Sequence, residues 1–171
     1  MPFFGHKYYG SHNDLWSTQS QGGGKKRERR DGWCAASSAI WCSNMLLKAT
    51  SPEKSVPNQT YAGVLQVKYR WDPTSNGQDV LNLLGNVNLT GQSAFSGDRN
   101  QMVNHMQGHP GVYWFRAHGH AMAADSRPRK KLWFDIEHGL YGYDHFFTMK
   151  WDLALGYPQS HEWEAFLCAI G

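Results

Sequence analysis

The chain has 171 residues, of which 40% are hydrophobic and 14% aromatic, and its formal net charge is +3. This content excludes a disordered chain and suits one domain with its own core, spanning residues 1–171. No run approaches the roughly 18 apolar residues of a membrane helix, and the N-terminus lacks the pattern of a Sec signal peptide. We therefore expect a globular protein without a membrane span.

The number and spacing of the cysteines argue against disulfide bonds and against a zinc site. The chain has three of them, Cys34, Cys42 and Cys168, and no CxxC motif. An odd, unpaired set does not fit a disulfide scaffold or a structural zinc site, so a reducing compartment is expected. We expect neither metal nor cofactor, and we interpret Cys42 and Cys168 as core residues.

The first 30 residues look irregular, and a flexible Gly/basic loop is predicted at about 21–31. Three glycines precede a run in which five of six positions are basic, namely Lys25, Lys26, Arg27, Arg29 and Arg30. A solvated loop, support for a thiolate at Cys34 and a dock for an acidic partner are all open interpretations. Basic residues are not interleaved with aromatics over a wider surface, so no nucleic-acid partner is expected.

The N-terminal half reads as helical. A helix is predicted over about 34–48, with Asp31 or Gly32 near its cap and Ser51-Pro52 after its end. Residues 61–71 are ambiguous between helix and strand, and residues 77–84 read as a short helix. Asp98 begins another helix, with Gln101 placed to complete a capping box.

The period then changes from helix to strand. Strands are predicted at 112–117, 120–124 and 131–136, with a turn near 126–129 and a candidate fourth strand within 141–149. A helical half followed by an antiparallel meander is an α+β layout.

Three residues in this layout have the chemistry of a thiol hydrolase. Cys34 opens a helix, where the dipole favours a thiolate, the form of cysteine that attacks carbonyl carbons. His120 and Asp135 lie about equally far from a turn centre near 127.5, so we expect them opposite each other on paired strands. His118, two residues from His120, and Glu137, beside Asp135, are the rival base and orienter.

Segments 32–41, 120–124 and 134–139 resemble the three sequence blocks of the YopT-type (AvrPphB/YopT-like) cysteine peptidases, papain-fold effectors of bacteria. The His block reads His-Ala-Met-Ala, and the Asp block keeps its Phe, Asp and Gly. Ile136 and Glu137 replace the Pro and Asn of the family pattern.

The resemblance implies a papain-like cysteine protease fold, with the nucleophile at a helix N-terminus packed on an antiparallel sheet. It implies Cys34 as nucleophile, His120 as general base and later acid, and Asp135 as orienter of the imidazole. Papain-like enzymes also use a side-chain amide upstream of the cysteine to hold the oxyanion. No amide stands directly upstream here, and Gln21 or Gln19 is the expected substitute.

The resemblance also implies a secreted effector or toxin that cleaves specific target-cell proteins. We expect it to be made in the bacterial cytoplasm, exported without a Sec signal and active in the target-cell cytoplasm. A cognate immunity protein covering the cleft is an expected partner where the target is bacterial. The alternatives are a thiol-dependent amidase, deamidase or acyltransferase toxin, for example on peptidoglycan peptides, and a non-catalytic binding module.

Overall fold

A computed structural model describes residues 3–11 and 33–171. The predicted Gly/basic loop at 21–31, the cap candidates Asp31 and Gly32, and the oxyanion candidates Gln19 and Gln21 lie outside these ranges. No helix among the described residues is both long and apolar enough to cross a bilayer.

The described chain forms five α-helices, one short 3-10 helix and seven strands. In order they are β1 (His6–Tyr9), α1 (Cys34–Leu47), the 3-10 helix (Pro52–Ser55), α2 (Gln59–Gln66), α3 (Gln78–Gly85), β2 (Leu89–Gly97), α4 (Arg99–Gly108), β3 (Val112–Ala117), β4 (His120–Asp125), β5 (Leu132–Asp135), β6 (Gly139–Gly142), α5 (Phe146–Gly156) and β7 (Trp163–Ile170).

These strands make one sheet in the order β1-β6-β5-β4-β3-β7-β2, and every neighbouring pair is antiparallel. Helices α1, α2 and α3 contribute to the core on one face, and α4 and α5 contribute to the core on the other. Strands β3 and β5 are therefore buried at every position. This is the predicted α+β arrangement of helices packed on an antiparallel sheet.

Small side chains bring α1 close to the centre of the sheet. Ala36 and Ala39 on the helix and Ala123 on β4 are fully buried in one cluster, so the two backbones can approach closely. The indole N–H of Trp114 donates to the carbonyl oxygen of Ala35 at 3.1 Å. This contact fixes the first turn of α1 against β3.

Several sequence predictions agree with these elements. The helix at 34–48 is α1, the helix at 77–84 is α3, and the three predicted strands between 112 and 136 are β3, β4 and β5. The ambiguous stretch at 61–71 is helical in its first part, as α2. The capping box of Asp98 and Gln101 is present at the start of α4.

Three other predictions were wrong in part. The first 30 residues are not all irregular, because β1 pairs with β6 at the sheet edge. The division into a helical half and a meander is only partly right, because β3 to β6 form the meander, but β2 lies among the helices and pairs along its whole length with the unpredicted β7. The candidate strand at 141–149 ends at Gly142, and Phe146 begins α5. Strand β1 has only four residues and β2 contains two glycines, so neither shows a clear apolar alternation.

Candidate active site

Cys34 is the first residue of α1, and its side chain is almost buried, with the residue 7% exposed. The N-cap residue Trp33 makes no side-chain capping hydrogen bond. Instead, the N–H of Ala36 donates to Oε1 of Gln66 at 2.8 Å, from the last residue of α2. A side chain 30 residues away therefore caps the turn that presents the thiol.

His120 and Asp135 form the pair that the sequence predicted. Nε2 of His120 lies 2.9 and 2.8 Å from the two carboxylate oxygens of Asp135. The expected register was wrong, because Asp125 pairs with Leu132 and the turn is centred one residue later than assumed. The two residues are therefore diagonal rather than directly opposite. A shift of two pairing positions preserves the face of the sheet, which is why the contact still forms.

The carboxylate of Asp135 is fully buried and held on several sides. The backbone N–H of Glu137 donates to Oδ1 at 2.8 Å, and the hydroxyl of Tyr157 donates to Oδ2. Burial alone would raise the pKa of Asp135, but the charge and hydrogen bond of His120 outweigh it and hold the pKa below its ordinary value. The aspartate is thus ionised and fixed in orientation.

Tyr157 had no signal in the sequence. It follows α5, is 22 residues from Asp135, and its hydroxyl accepts a hydrogen bond from the indole N–H of Trp133 at 3.1 Å. Only the return of α5 across the sheet brings it to the carboxylate.

The surroundings of His120 favour the charged form of its ring. Burial disfavours the charged ring, but the carboxylate of Asp135 and a hydrogen bond with Cys34 outweigh it, and the pKa of His120 lies well above its ordinary value. Because Nε2 faces Asp135, Nδ1 is the ring nitrogen left for the sulfur of Cys34. The structure therefore brings the three predicted residues together, with the imidazole between thiol and carboxylate.

The rival residues lie elsewhere. His118 occupies the two-residue turn between β3 and β4 with φ of 52°, and its Nε2 contacts the carbonyl oxygen of His161 at 2.7 Å. The strand alternation that placed it beside His120 does not apply inside a turn. The side chain of Glu137 is exposed, and only its backbone N–H reaches Asp135. Cys42 and Cys168 are buried in the core as expected.

A second polar cluster lies near Cys34. The guanidinium of Arg116 on β3 lies 2.7 Å from Asp79 and 3.2 Å from Glu164, and it stacks over the ring of Trp71. The hydroxyl of Tyr69 lies 3.3 Å from the same guanidinium, burial raises the pKa of that hydroxyl to about 12, and Cys34 is near enough to interact with it electrostatically. The cluster connects α3 and β7 through Arg116.

The raised pKa of His120 predicts a pH-dependent stability. A group whose folded pKa exceeds its ordinary 6.5 stabilises the fold fully below that value, and loses this contribution as the pH rises through the folded pKa. We expect the difference in free energy of unfolding between wild type and His120→Gln to shrink from mildly acidic to alkaline pH. Urea denaturation across this range measures it. His118→Gln, which removes an imidazole in contact with the carbonyl oxygen of His161, is measured beside it for comparison, and a constant difference for His120→Gln would refute the expected pH dependence.

Among the described residues, no group of three or more His, Cys, Asp or Glu side chains is arranged to hold a metal ion.

No protein-family model matches the chain, and no curated protein matches it significantly. The solved structures include a similar one, the crystal structure of the Pseudomonas avirulence protein AvrPphB. It superposes with a TM-score of 0.57 at 12% identity, covering 79% of this chain and 89% of that chain. At this identity the likeness concerns the fold. It confirms the predicted papain-like fold, and it confirms the resemblance to the AvrPphB/YopT-like peptidases at that level.

Proposed function

We propose that this protein is a cysteine endopeptidase of the bacterial effector kind, acting through Cys34, His120 and Asp135. One observation carries the proposal: an imidazole hydrogen-bonded to a buried carboxylate also hydrogen-bonds to a cysteine that opens a helix. Nucleophile, base and orienter in this order are the recurring parts of thiol acyl transfer.

The first half of the reaction forms an acyl-enzyme. The Cys34 thiolate attacks the peptide carbonyl carbon, a C–S bond forms, and the carbonyl electron pair moves to the oxygen. The imidazolium of His120 then gives its proton to the leaving nitrogen as the C–N bond breaks. Asp135 stays ionised and keeps the ring in place.

The second half releases the acid. Neutral His120 takes a proton from water, and the resulting hydroxide attacks the thioester carbon. The C–S bond breaks, and the electron pair leaves with the sulfur, restoring the thiolate beside the imidazolium.

Gln66 joins this proposal as a donor to the oxyanion, together with the backbone N–H of Cys34. Gln66 is 5% exposed, and its side chain is anchored at the N-terminal turn of α1 by the hydrogen bond from the N–H of Ala36. An N–H donor placed there would face the oxygen on which charge develops. Gln19 and Gln21 stay predictions for the same role.

Gln66→Glu distinguishes hydrogen-bond donation to the oxyanion from capping of helix α1. Glu keeps the acceptor oxygen for the Ala36 N–H and removes the amide donor. We expect Gln66→Glu and Gln66→Ala each to lower kcat by about 10²-fold with little change in KM, as for loss of one oxyanion donor. Steady-state kinetics on a cleaved peptide measures this. Wild-type kcat in Gln66→Glu would leave Gln66 a capping residue only.

Delivery to the cytoplasm of a target cell, protein substrates there and a cognate immunity protein over the cleft belong to the same proposal. The support is the fold likeness to an avirulence protein.

Mapping of new protein N-termini tests the activity. Purified protein is incubated with cytosolic extract and, in parallel, with peptidoglycan sacculi, each beside the Cys34→Ala variant. We expect a small set of new N-termini from the extract with wild type alone. Release of peptide fragments only from sacculi would replace the endopeptidase with an amidase. No thiol-dependent product from either would overturn the proposal.

A further inference from the structure

Helix α5 carries an apolar stripe on its outer side. Phe147, Trp151 and Leu155 are 74%, 58% and 45% exposed, and their spacing of four residues places them on one line of the helix. The core side of α5 is formed by Met149 and Leu153, which are fully buried. The outer line therefore does not serve the core of the domain.

Phe4 adds to this surface. Its ring is 70% exposed, and its backbone N–H donates to Oδ1 of Asp152 at 2.9 Å, which ties it to the flank of α5. We call Phe4, Phe147, Trp151 and Leu155 the α5 stripe. Several large exposed apolar side chains this close together mark an interaction surface more often than chance exposure.

A basic cavity adjoins one flank of the stripe. Its volume is about 560 Å³, and Phe4 and Thr148 are part of its wall. Thr148 follows Phe147, about 100° around the helix. Three consecutive cations, Arg129, Lys130 and Lys131, line the same cavity.

Lys150 flanks the stripe on the other side, because it precedes Trp151 and lies about 100° around the helix in the opposite sense. Cations outnumber acidic side chains in the lining of the cavity. Asp144 is the one acidic residue lining the described cavity. Both carboxylate oxygens of the buried Asp152 are engaged by the N–H groups of Phe4 and Gly5 and by the hydroxyl of Tyr143.

We propose that the α5 stripe docks on an anionic phospholipid surface, with its aromatic rings at headgroup depth and the flanking cations on lipid phosphates. Phe, Trp and Leu on one side of a helix with basic residues beside them is the pattern of interfacial membrane binding. Each cation near such a surface adds to binding. A second copy of the chain fits less well, because pairing two such faces would bring their basic flanks together.

Vesicle co-sedimentation tests the proposal, and it does not depend on the thiol chemistry. Wild type is mixed with vesicles of phosphatidylcholine alone or of phosphatidylcholine with phosphatidylglycerol. We expect binding to the second kind only, and release by about 1 M salt, where screening acts within about 3 Å. Phe147→Ser/Trp151→Ser should weaken binding at least about tenfold, through lost apolar burial. Lys130→Glu/Lys150→Glu should weaken it at least about twentyfold, through reversed charge.

Matched controls lie at the end of α2 and in the residues that follow it, and α2 packs on the other face of the sheet from α5. Val64→Ser/Val67→Ser changes two side chains that are 58% and 81% exposed, and Lys68→Glu/Arg70→Glu reverses two exposed charges. Both should bind vesicles as wild type does. The basic run at 25–30 is unchanged in every variant. Wild type that fails to bind anionic vesicles, or α5 variants that bind undiminished, would overturn the proposal. A dimer that Phe147→Ser/Trp151→Ser dissociates, without vesicle binding, would overturn it in favour of self-association.

Discussion

Replacing Cys34 with Ala is expected to abolish peptide-bond hydrolysis, with kcat lowered about 10⁴-fold or more. The variant removes the only atom proposed to form the covalent bond to substrate, while the alanine fits the tight packing at the start of α1. Cleavage of a mapped target site, followed in single-turnover experiments, measures the loss. The thermal midpoint of unfolding should stay close to that of wild type.

Cys42→Ala and Cys168→Ala provide matched controls for this result. Both thiols are buried in the core, and burial raises the pKa of Cys42 well above its ordinary value. Their loss should lower stability modestly and leave kcat within a few-fold of wild type. Cys34→Ala with full activity would transfer the chemistry to another group and end the thiol mechanism.

His120→Ala is expected to lower kcat to a similar extent, about 10⁴-fold. The imidazole is proposed to stabilise the thiolate, to protonate the leaving nitrogen and to activate water, so three steps lose their partner together. Because Asp135 then keeps a buried charge without its cation, the variant should also unfold more easily. Hydrolysis rates and unfolding midpoints measured on one preparation separate the two effects.

His118→Ala is the matched control, since it removes an imidazole two residues away that contacts the carbonyl oxygen of His161 instead of the carboxylate. We expect wild-type kcat from it. If His118→Ala is inactive while His120→Ala cleaves normally, the base has been misassigned.

The centre of the fold could be predicted from the sequence, and its margins could not. Strands β3, β4 and β5 have uninterrupted apolar runs, and α4 has a capping box, so local signals agreed with the structure. Strands β2 and β7 are instead defined by their pairing with each other. The paired residues are far apart in the sequence, as Thr90 and Ala169 show with a separation of 79 positions. Single-sequence patterns do not report such pairing.

Helix α5 shows why one element was misread. Its first turn is Phe146-Phe147-Thr148, and these residue types are typical of strands. Because the outer side of the helix is also apolar, the sequence does not show the separate polar and apolar sides of an amphipathic helix. The exposed apolar side chains of α5 thus form the proposed docking surface and also explain why this helix was predicted as a strand.

The candidate site divides in a similar way. Cys34, His120 and Asp135 were identifiable because each stands at the end of a recognisable element. Gln66 and Tyr157 were not, because they reach Ala36 and Asp135 through tertiary contacts. Groups that orient a site from another part of the chain leave no local pattern in the sequence.

The most direct test of the central claim is the rate at which iodoacetamide labels each cysteine at mildly acidic pH, followed by peptide mass spectrometry. Cys34 is expected to react far faster than Cys42 or Cys168, because its sulfur opens a helix beside the imidazole of His120, a setting in which cysteines act as nucleophiles, whereas the other two lie in the core. This advantage should be lost in His120→Ala. Slow labelling of all three cysteines at equal rates would contradict the account.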